Sequence, residues 1–304
     1  MKTATPMLVK RNVKLFFKDK GTFFTALITP LILLVLYATF LNNVYRDSFL
    51  AVFEAIPTGL TADADVLDGL VGGLLLASLL SVSTVTTSFC ANLCMVQDKV
   101  TGARNDFTVS PVSSRSIAAG YYLATAINGA IISLSATAIG LGYLAITGWY
   151  LSALDVLALF ADVLLLVLFG TALSSLVCYP LSSQGQLSAV GTVVSAGYGF
   201  ICGAYMPLST FSEGLRNVLA FFPGTYGTSL LRNHALRGAL SELSAQGFPD
   251  IVITELKNMS DCNFAFFGNT VEIWQMYLVI GGVTAGLIVA FALLHFFASR
   301  KNTK

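Results

Sequence analysis

The sequence predicts an all-α membrane protein with six transmembrane helices. Three observations carry that expectation. Of 304 residues, 55% are hydrophobic and only 11% charged, too little polar surface to coat a soluble globule. The apolar residues gather in runs of roughly 20, the length a helix needs to cross about 30 Å of hydrocarbon. No run shows the short alternating strands of an outer-membrane barrel. The spans are expected near 21–43, 70–96, 116–147, 156–179, 187–206 and 274–298, in a single membrane domain over 1–304. The first apolar run is of spanning length and has no small-residue cleavage site after it, so it is expected to stay as an anchor rather than leave as a signal peptide.

Charge sets the orientation. Twelve of the 17 basic residues fall before the first span, in the loop at 97–115 or in the tail after 298. By the positive-inside rule these segments, and both termini, are expected in the cytoplasm of a plasma membrane, the inner membrane in a bacterium. The opposite loops are acidic, with Asp63, Asp65 and Asp68 after the first span and Asp250, Glu255 and Asp261 after the fifth. A formal net charge of +1 gives no sign of a nucleic-acid partner, whereas the juxtamembrane basic clusters suit membrane lipids.

Residues 1–20 alternate Val9, Val13, Phe16 and Phe17 with Lys10, Arg11, Lys14 and Lys18 around a helical wheel, which predicts an amphipathic helix lying on the membrane surface. Pro30 is expected to kink the first span. In the second span Ser81, Thr84, Ser88 and Asn92 repeat at helical spacing. Such a stripe avoids lipid; it either bonds neighbouring helices or lines a pathway. Asp162 lies inside the fourth span, a functional candidate by default. The fifth span carries the small ribbon Ser188, Gly191, Ser195, Gly199 and Gly203, read as a close-packing face, with Tyr198 beside it. Gly282 and Gly286 give a weaker echo in the sixth.

Between the last two spans, residues 207–236 are apolar enough to dip back into the membrane as short helices broken at Pro223-Gly224, and 237–272 read as a small external cap. Five cysteines, an odd number mostly within helices, imply no disulfide framework, and the spacing of Cys90 and Cys94 suits packing better than metal. No phosphate loop, zinc-hydrolase motif or serine-hydrolase turn occurs, so the chain is expected neither to hydrolyse ATP itself nor to be an enzyme.

Two stretches at these topological positions resemble the permeases of the type-2 ABC exporter family. In the loop after the second span, Asp98-Lys99, Gly102, Phe107 and Ser110-Pro111-Val112 match that family's register, while Ala103 and Asn105 depart from its Thr and Glu. After the fifth span, Gly203, Pro207, Leu215, Arg216, Pro223, Thr225, Tyr226 and Arg232 match, with Ser212 where a second Pro is frequent. The resemblance implies a cytoplasmic coupling helix within 97–113, using Asp98, Lys99, Gly102, Arg104, Asp106 and Phe107. It would dock on a separate ABC ATPase subunit, present in two copies, which holds the ATP and Mg; this chain binds no cofactor. It further implies a second permease chain, a homodimer in preference to a heterodimer, and a pathway between the two lined by helices 2 and 5, with Ser81, Thr84, Ser88, Asn92, Ser195 and Tyr198 as the candidates. The mostly apolar helices favour a hydrophobic or amphipathic cargo such as a drug, lipid or peptide. A polysaccharide exporter, or an ATP-independent transporter or channel working through Asp162, are the alternatives; the latter would favour an inverted repeat, and none is evident.

Overall fold

In the computed structural model, residues 4–56, 60–110 and 112–301 are described, and they form a helical bundle built around one helix. That helix is α4 (Ala64–Val100), 37 residues and so about 55 Å long, well beyond the hydrocarbon thickness. Its most apolar window is 94% buried inside this single chain. A helix enclosed on every side sits in a bundle core, and α4 packs against helices from both before and after it in the chain.

The elements before it are α1 (Ala4–Lys18) and α2 (Lys20–Leu36), which continues through a π-turn at Tyr37–Leu41 into α3 (Asn42–Ala55). Asp19 caps α2, accepting 2.8 Å from the Thr22 hydroxyl, and that bond holds its carboxyl below the usual carboxylate range. The helix runs through Pro30 and widens to a π-turn at Tyr37–Leu41. α1 is amphipathic, and of the four apolar residues expected on its membrane face only Phe16 is fully buried in the bundle. Leu8, Asn12 and Phe16 are buried, Val9 and Val13 are half-buried, and Phe17 is exposed with Met7 and Leu15. The rotation has two fixed points, an ion pair from Arg11 to α4 and the seating of Leu8 on Gly120, where an added Cβ would lie 2.8 Å from the Leu8 Cβ.

After α4 come a short helix α5 (Ala103–Val109), then α6 (Ser114–Thr147) and α7 (Ala153–Cys178). Ser152 and Asp155 form a reciprocal capping box at the start of α7. α8 (Gln184–Ile201) follows, then α9 (Glu213–Leu219), α10 (Pro223–Ala245), α11 (Asp250–Met259), the hairpin β1 (Ala265–Phe266) and β2 (Asn269–Thr270), and α12 (Ile273–Lys301). The hairpin turns on Phe267 and Gly268, both at positive φ, as a tight two-residue connection requires.

Among the described residues, five helical stretches are long and apolar enough to cross a membrane: Lys20–Ala55, Ala64–Val100, Ser114–Thr147, Ala153–Cys178 and Ile273–Phe296. They correspond to five of the six expected spans. The remaining one, α8, is helical at the expected place but has only 18 residues and opens on Gln184 and Gln186. The expected division at 236/237 does not hold, because α10 runs continuously from Pro223 to Ala245. Its chain break lies earlier, at the turn before Pro223. Polar groups along α10, among them Thr228, Arg232 and His234, are paired inside the bundle.

Because helices in lipid gain nothing by hiding apolar surface from each other, close approach is what holds them. At Gly73 an added Cβ would lie 2.7 Å from the backbone oxygen of Ala235, whereas Gly142 has nothing within 4 Å. Gly73→Ala should therefore cost about 1–3 kcal/mol through overpacking, and Gly142→Ala should gain up to about 1 kcal/mol from helix propensity. Thermal unfolding of the purified chain in detergent checks both signs.

Candidate functional site

The α4 end that carries Asp98 is a junction of four elements. The Arg11 guanidinium of α1 makes a two-pronged bond to Asp98, at 2.7 and 2.9 Å, and the Tyr121 hydroxyl of α6 donates to the same carboxylate at 2.6 Å. The hydrogen bond to Asp98 holds Arg11 above its already high ordinary pKa. Arg11 also lies 5.1 Å over the ring of Phe107 in α5, a cation–π contact. One residue on, Lys99 donates to the carbonyls of Tyr179, Leu181 (3.0 Å) and Cys178 (3.4 Å), tying α4 to the end of α7. Gly102 then reverses the chain at φ +82°, with Thr101 and Gly102 amides closing the last turn of α4 onto Gln97 and Lys99. A left-handed residue there favours glycine by about 1–2 kcal/mol.

This splits the six residues expected at a coupling surface. Asp98, 6% exposed, and Lys99 tie α4 to α1, α6 and α7, Gly102 turns the chain, and Phe107 of α5 packs under Arg11 of α1. Arg104 is half-buried. What α5 presents outward is Asp106 and Val109, the latter 85% exposed. The sequence did not reveal Arg11 as a partner of Asp98, because one arginine among six N-terminal cations carries no mark of its own.

The polar stripe of α4 lies inside the bundle rather than along an opening. Ser81 Oγ is 2.5 Å from Thr228 Oγ1 of α10, Ser88 donates to Thr84 O at 2.8 Å, and Thr84 donates to Ser81 O at 3.1 Å. Asn92 donates to Ser174 and Ser175 of α7, both at 3.3 Å, and accepts from Thr125 of α6. All four stripe residues are buried to 1% exposure or less. Of the two uses open to such a stripe, the geometry of the chain corresponds to interhelical bonding.

A neighbouring face of α4 opens instead. Thr86, Phe89, Cys90 and Leu93, at helical spacing, form one wall of a cavity of about 620 Å3 closed by Thr25 of α2 and by Ser188 and Ser195 of α8. Ser195 is thus where expected, while Tyr198 lies below the cavity, buried, with its hydroxyl against Gly224 of α10. Gly191 also lines the opening and nothing in this chain fills the space above it.

At the other end the second signature gathers around Arg232. Arg232, 1% exposed, donates to Asp261 at 2.8 Å and to the Gly203 carbonyl at 2.7 Å. Asp261 accepts the amides of Leu208 (2.6 Å) and Ser209 (3.1 Å). Burial pushes its carboxyl up, with Arg232 and those amides pulling against it. Gly203 turns at φ +75° over Leu208, Pro207 is buried beside it, and Tyr226 meets Phe264 edge-to-face with ring centroids 4.8 Å apart. Pro223 opens α10 as its first residue, where its missing amide hydrogen is harmless. The partner Asp261 was hidden in the sequence among other loop acids.

Asp162 has partners that sequence spacing did not reveal: His234 Nδ1 at 2.6 Å from α10 and the Tyr277 hydroxyl at 2.5 Å from α12. Close by, Arg237 pairs with Asp155 at 2.5 Å. These groups clamp α7, α10 and α12 together. The five cysteines are free, and burial raises Cys262 to about 11.

Comparison with known families decides what this arrangement belongs to. The family model for ABC-2 type transporters matches residues 3–235, more than two thirds of the chain. The chain belongs to the ABC-2 type transporter family. No individual curated protein matches it at a significant level. As a member of this family it is a membrane-spanning transport permease domain, not a nucleotide-binding one. The matched region contains both α5 and the Gly203–Arg232 node, and includes Arg11.

Two outcomes follow for this ABC-2 permease. Arg232→Met strands a buried carboxylate and should cost about 3–5 kcal/mol; combined with Asp261→Asn the loss should be smaller than the sum of the two single losses, measured by thermal unfolding. Single cysteines at Thr86, Ser188 and Ser195, on a background stripped of native cysteines, should react with a small water-soluble thiol reagent, while cysteines at Ser81, Ser88 and Asn92 stay protected.

Proposed function

We propose that this chain is the permease of an ATP-driven exporter that moves a hydrophobic or amphipathic compound out of the cytoplasm. In this reading two copies face each other across the cavity between α2, α4 and α8, α8 completes a sixth span, and the end bearing α5 and both termini is cytoplasmic. The observation that carries the reading is the cavity itself: it is largely apolar, and α8, which lines it, has unfilled space over Gly191 with Val193 70% exposed. A second copy of the same face supplies a natural cover, and small residues permit its close approach.

ATP enters through a separate ATPase subunit, two copies per complex, docked on the outward face of α5 at Asp106 and Val109. Movement of α5 passes to α1 through Phe107, which lies under Arg11, and from Arg11 to Asp98 of α4, which also holds Tyr121 of α6. The basic loops and the α1 surface with Met7, Leu15 and Phe17 suit the cytoplasmic leaflet of the plasma membrane. An ATP-independent carrier would instead work through Asp162, but its carboxylate oxygens are occupied by His234 and Tyr277, and the residue is 1% exposed.

The test is reconstitution of the chain with its ATPase in vesicles. Asp98→Asn or Arg11→Gln should lower export about ten-fold, the scale of a typical coupling free energy between sites, while ATP hydrolysis persists without its response to cargo. Asp106→Cys and Val109→Cys should cross-link to the ATPase. Uphill export by the permease alone, or wild-type coupling in the Asp98 and Arg11 variants, overturns this mechanism.

A further inference from the structure

A second opening lies between α6 and α12 and shares no lining residue with the α2, α4 and α8 cavity. It is a groove of about 360 Å3 walled by Ala118, Ala119 and Leu123 of α6 and by Ile288, Phe291 and Ala292 of α12, within the size range of small-molecule sites. Leu123 and Ile288 are 45% and 37% exposed, so the groove opens outward from the bundle and not into it.

Three polar side chains interrupt the apolar wall: Tyr122, whose hydroxyl donates to the Leu168 carbonyl at 3.4 Å, and, at the end that bears α5, Arg115 and His295. Arg115, near the start of α6, is exposed, lies 5.4 Å over the Phe296 ring, and pairs with no carboxylate among the described residues. His295 is 4% exposed, held between Tyr179 and Phe291 at ring distances of 4.9 and 4.8 Å. Its Nε2 is buried and has no hydrogen-bond partner among the described residues. Buried ring nitrogens are ordinarily satisfied, and in this groove only something entering from the membrane side can do so.

We infer that this groove binds an anionic phospholipid of the leaflet surrounding α5, with the phosphate at Arg115, an ester carbonyl accepting from His295 Nε2–H, and an acyl chain along Ala119, Leu123 and Ile288. A purely apolar occupant leaves the Arg115 charge and the His295 nitrogen unmatched. A basic group between membrane helices at the headgroup level is the chemistry that selects anionic lipid. The inference rests on the orientation proposed above, in which this leaflet is cytoplasmic.

The test uses the permease with its ATPase in nanodiscs of phosphatidylcholine doped with phosphatidylglycerol, without ATP, and native mass spectrometry to identify retained molecules by mass. The wild type should retain phosphatidylglycerol in preference to phosphatidylcholine. Arg115→Gln should lower that preference about five-fold, the weight of one basic side chain at an anionic surface. Ala119→Trp, which fills the groove, should abolish retention of both lipids, and His295→Phe should weaken it, each with an unchanged size-exclusion profile. Lys18→Gln, at an exposed cation outside the groove, should leave the preference intact. Wild-type retention in both Arg115→Gln and Ala119→Trp overturns the inference. So does equal retention of the two lipids by the wild type, an effect of Lys18→Gln as large as that of Arg115→Gln, or a retained mass that is a non-lipid amphiphile. Because retention is read without nucleotide or cargo, failed export alongside preserved lipid preference would count against the transport mechanism alone.

Discussion

Everything in this bundle is arranged around the burial of α4 on all sides. In hydrocarbon no hydrophobic force draws one helix to another, so association depends on tight packing and on polar groups bonded across helices. α4 supplies both. Gly73 admits the backbone of α10 and Ser88 packs against Gly129 of α6 and Gly170 of α7, while Ser81 and Asn92 reach α10 and α7. The same short polar side chains also bond back to their own helix, as Thr84 does to Ser81 and Ser88 to Thr84, which lets them sit in an apolar setting without loss.

Two arginine–aspartate nodes fasten the bundle at opposite ends of the chain's fold. Arg11 and Asp98 join elements 87 residues apart, and Arg232 and Asp261 join α10 to the segment after α11. The nodes differ in setting. Arg11 remains about one third exposed, whereas Arg232 and Asp261 are almost fully enclosed, where removing one partner costs more than the pair contributes against an apolar substitute. The enclosed node fixes the turn at Gly203 and the entry to α10. The half-open one meets the short helix α5, where Arg11 lies over the Phe107 ring. Function in a transporter needs that combination of a fixed frame and a transmitting end.

Composition, run length and loop charge were enough to read a helical membrane bundle, and the order of the short motifs was enough to read an ABC-2 permease. Helix limits followed closely where caps were explicit, as at Ser113 and Ser152. They failed where polarity had another use. The stretch 207–236 read as short re-entrant helices and 237–272 as a cap, yet Pro223–Ala245 is one continuous helix whose polar groups find partners in α4 and α7.

Which face of a helix meets protein and which meets an opening is likewise a pairwise matter. The stripe Ser81, Thr84, Ser88 and Asn92 has the periodicity of a pathway wall and of a packing seam equally, since both require small polar side chains every turn. Only the positions of α6, α7 and α10 decided that it is a seam, and that Thr86, Phe89, Cys90 and Leu93 line the cavity. The sequence by itself determined the solvent this protein lives in, its helices and its family, because those follow from local composition summed over a span. The tertiary structure alone decided that Asp98 answers Arg11, that Asp261 answers Arg232 and that Asp162 answers His234 and Tyr277. Such pairs are set by contacts between distant segments, and one acid among many bears no local sign of the base it will meet.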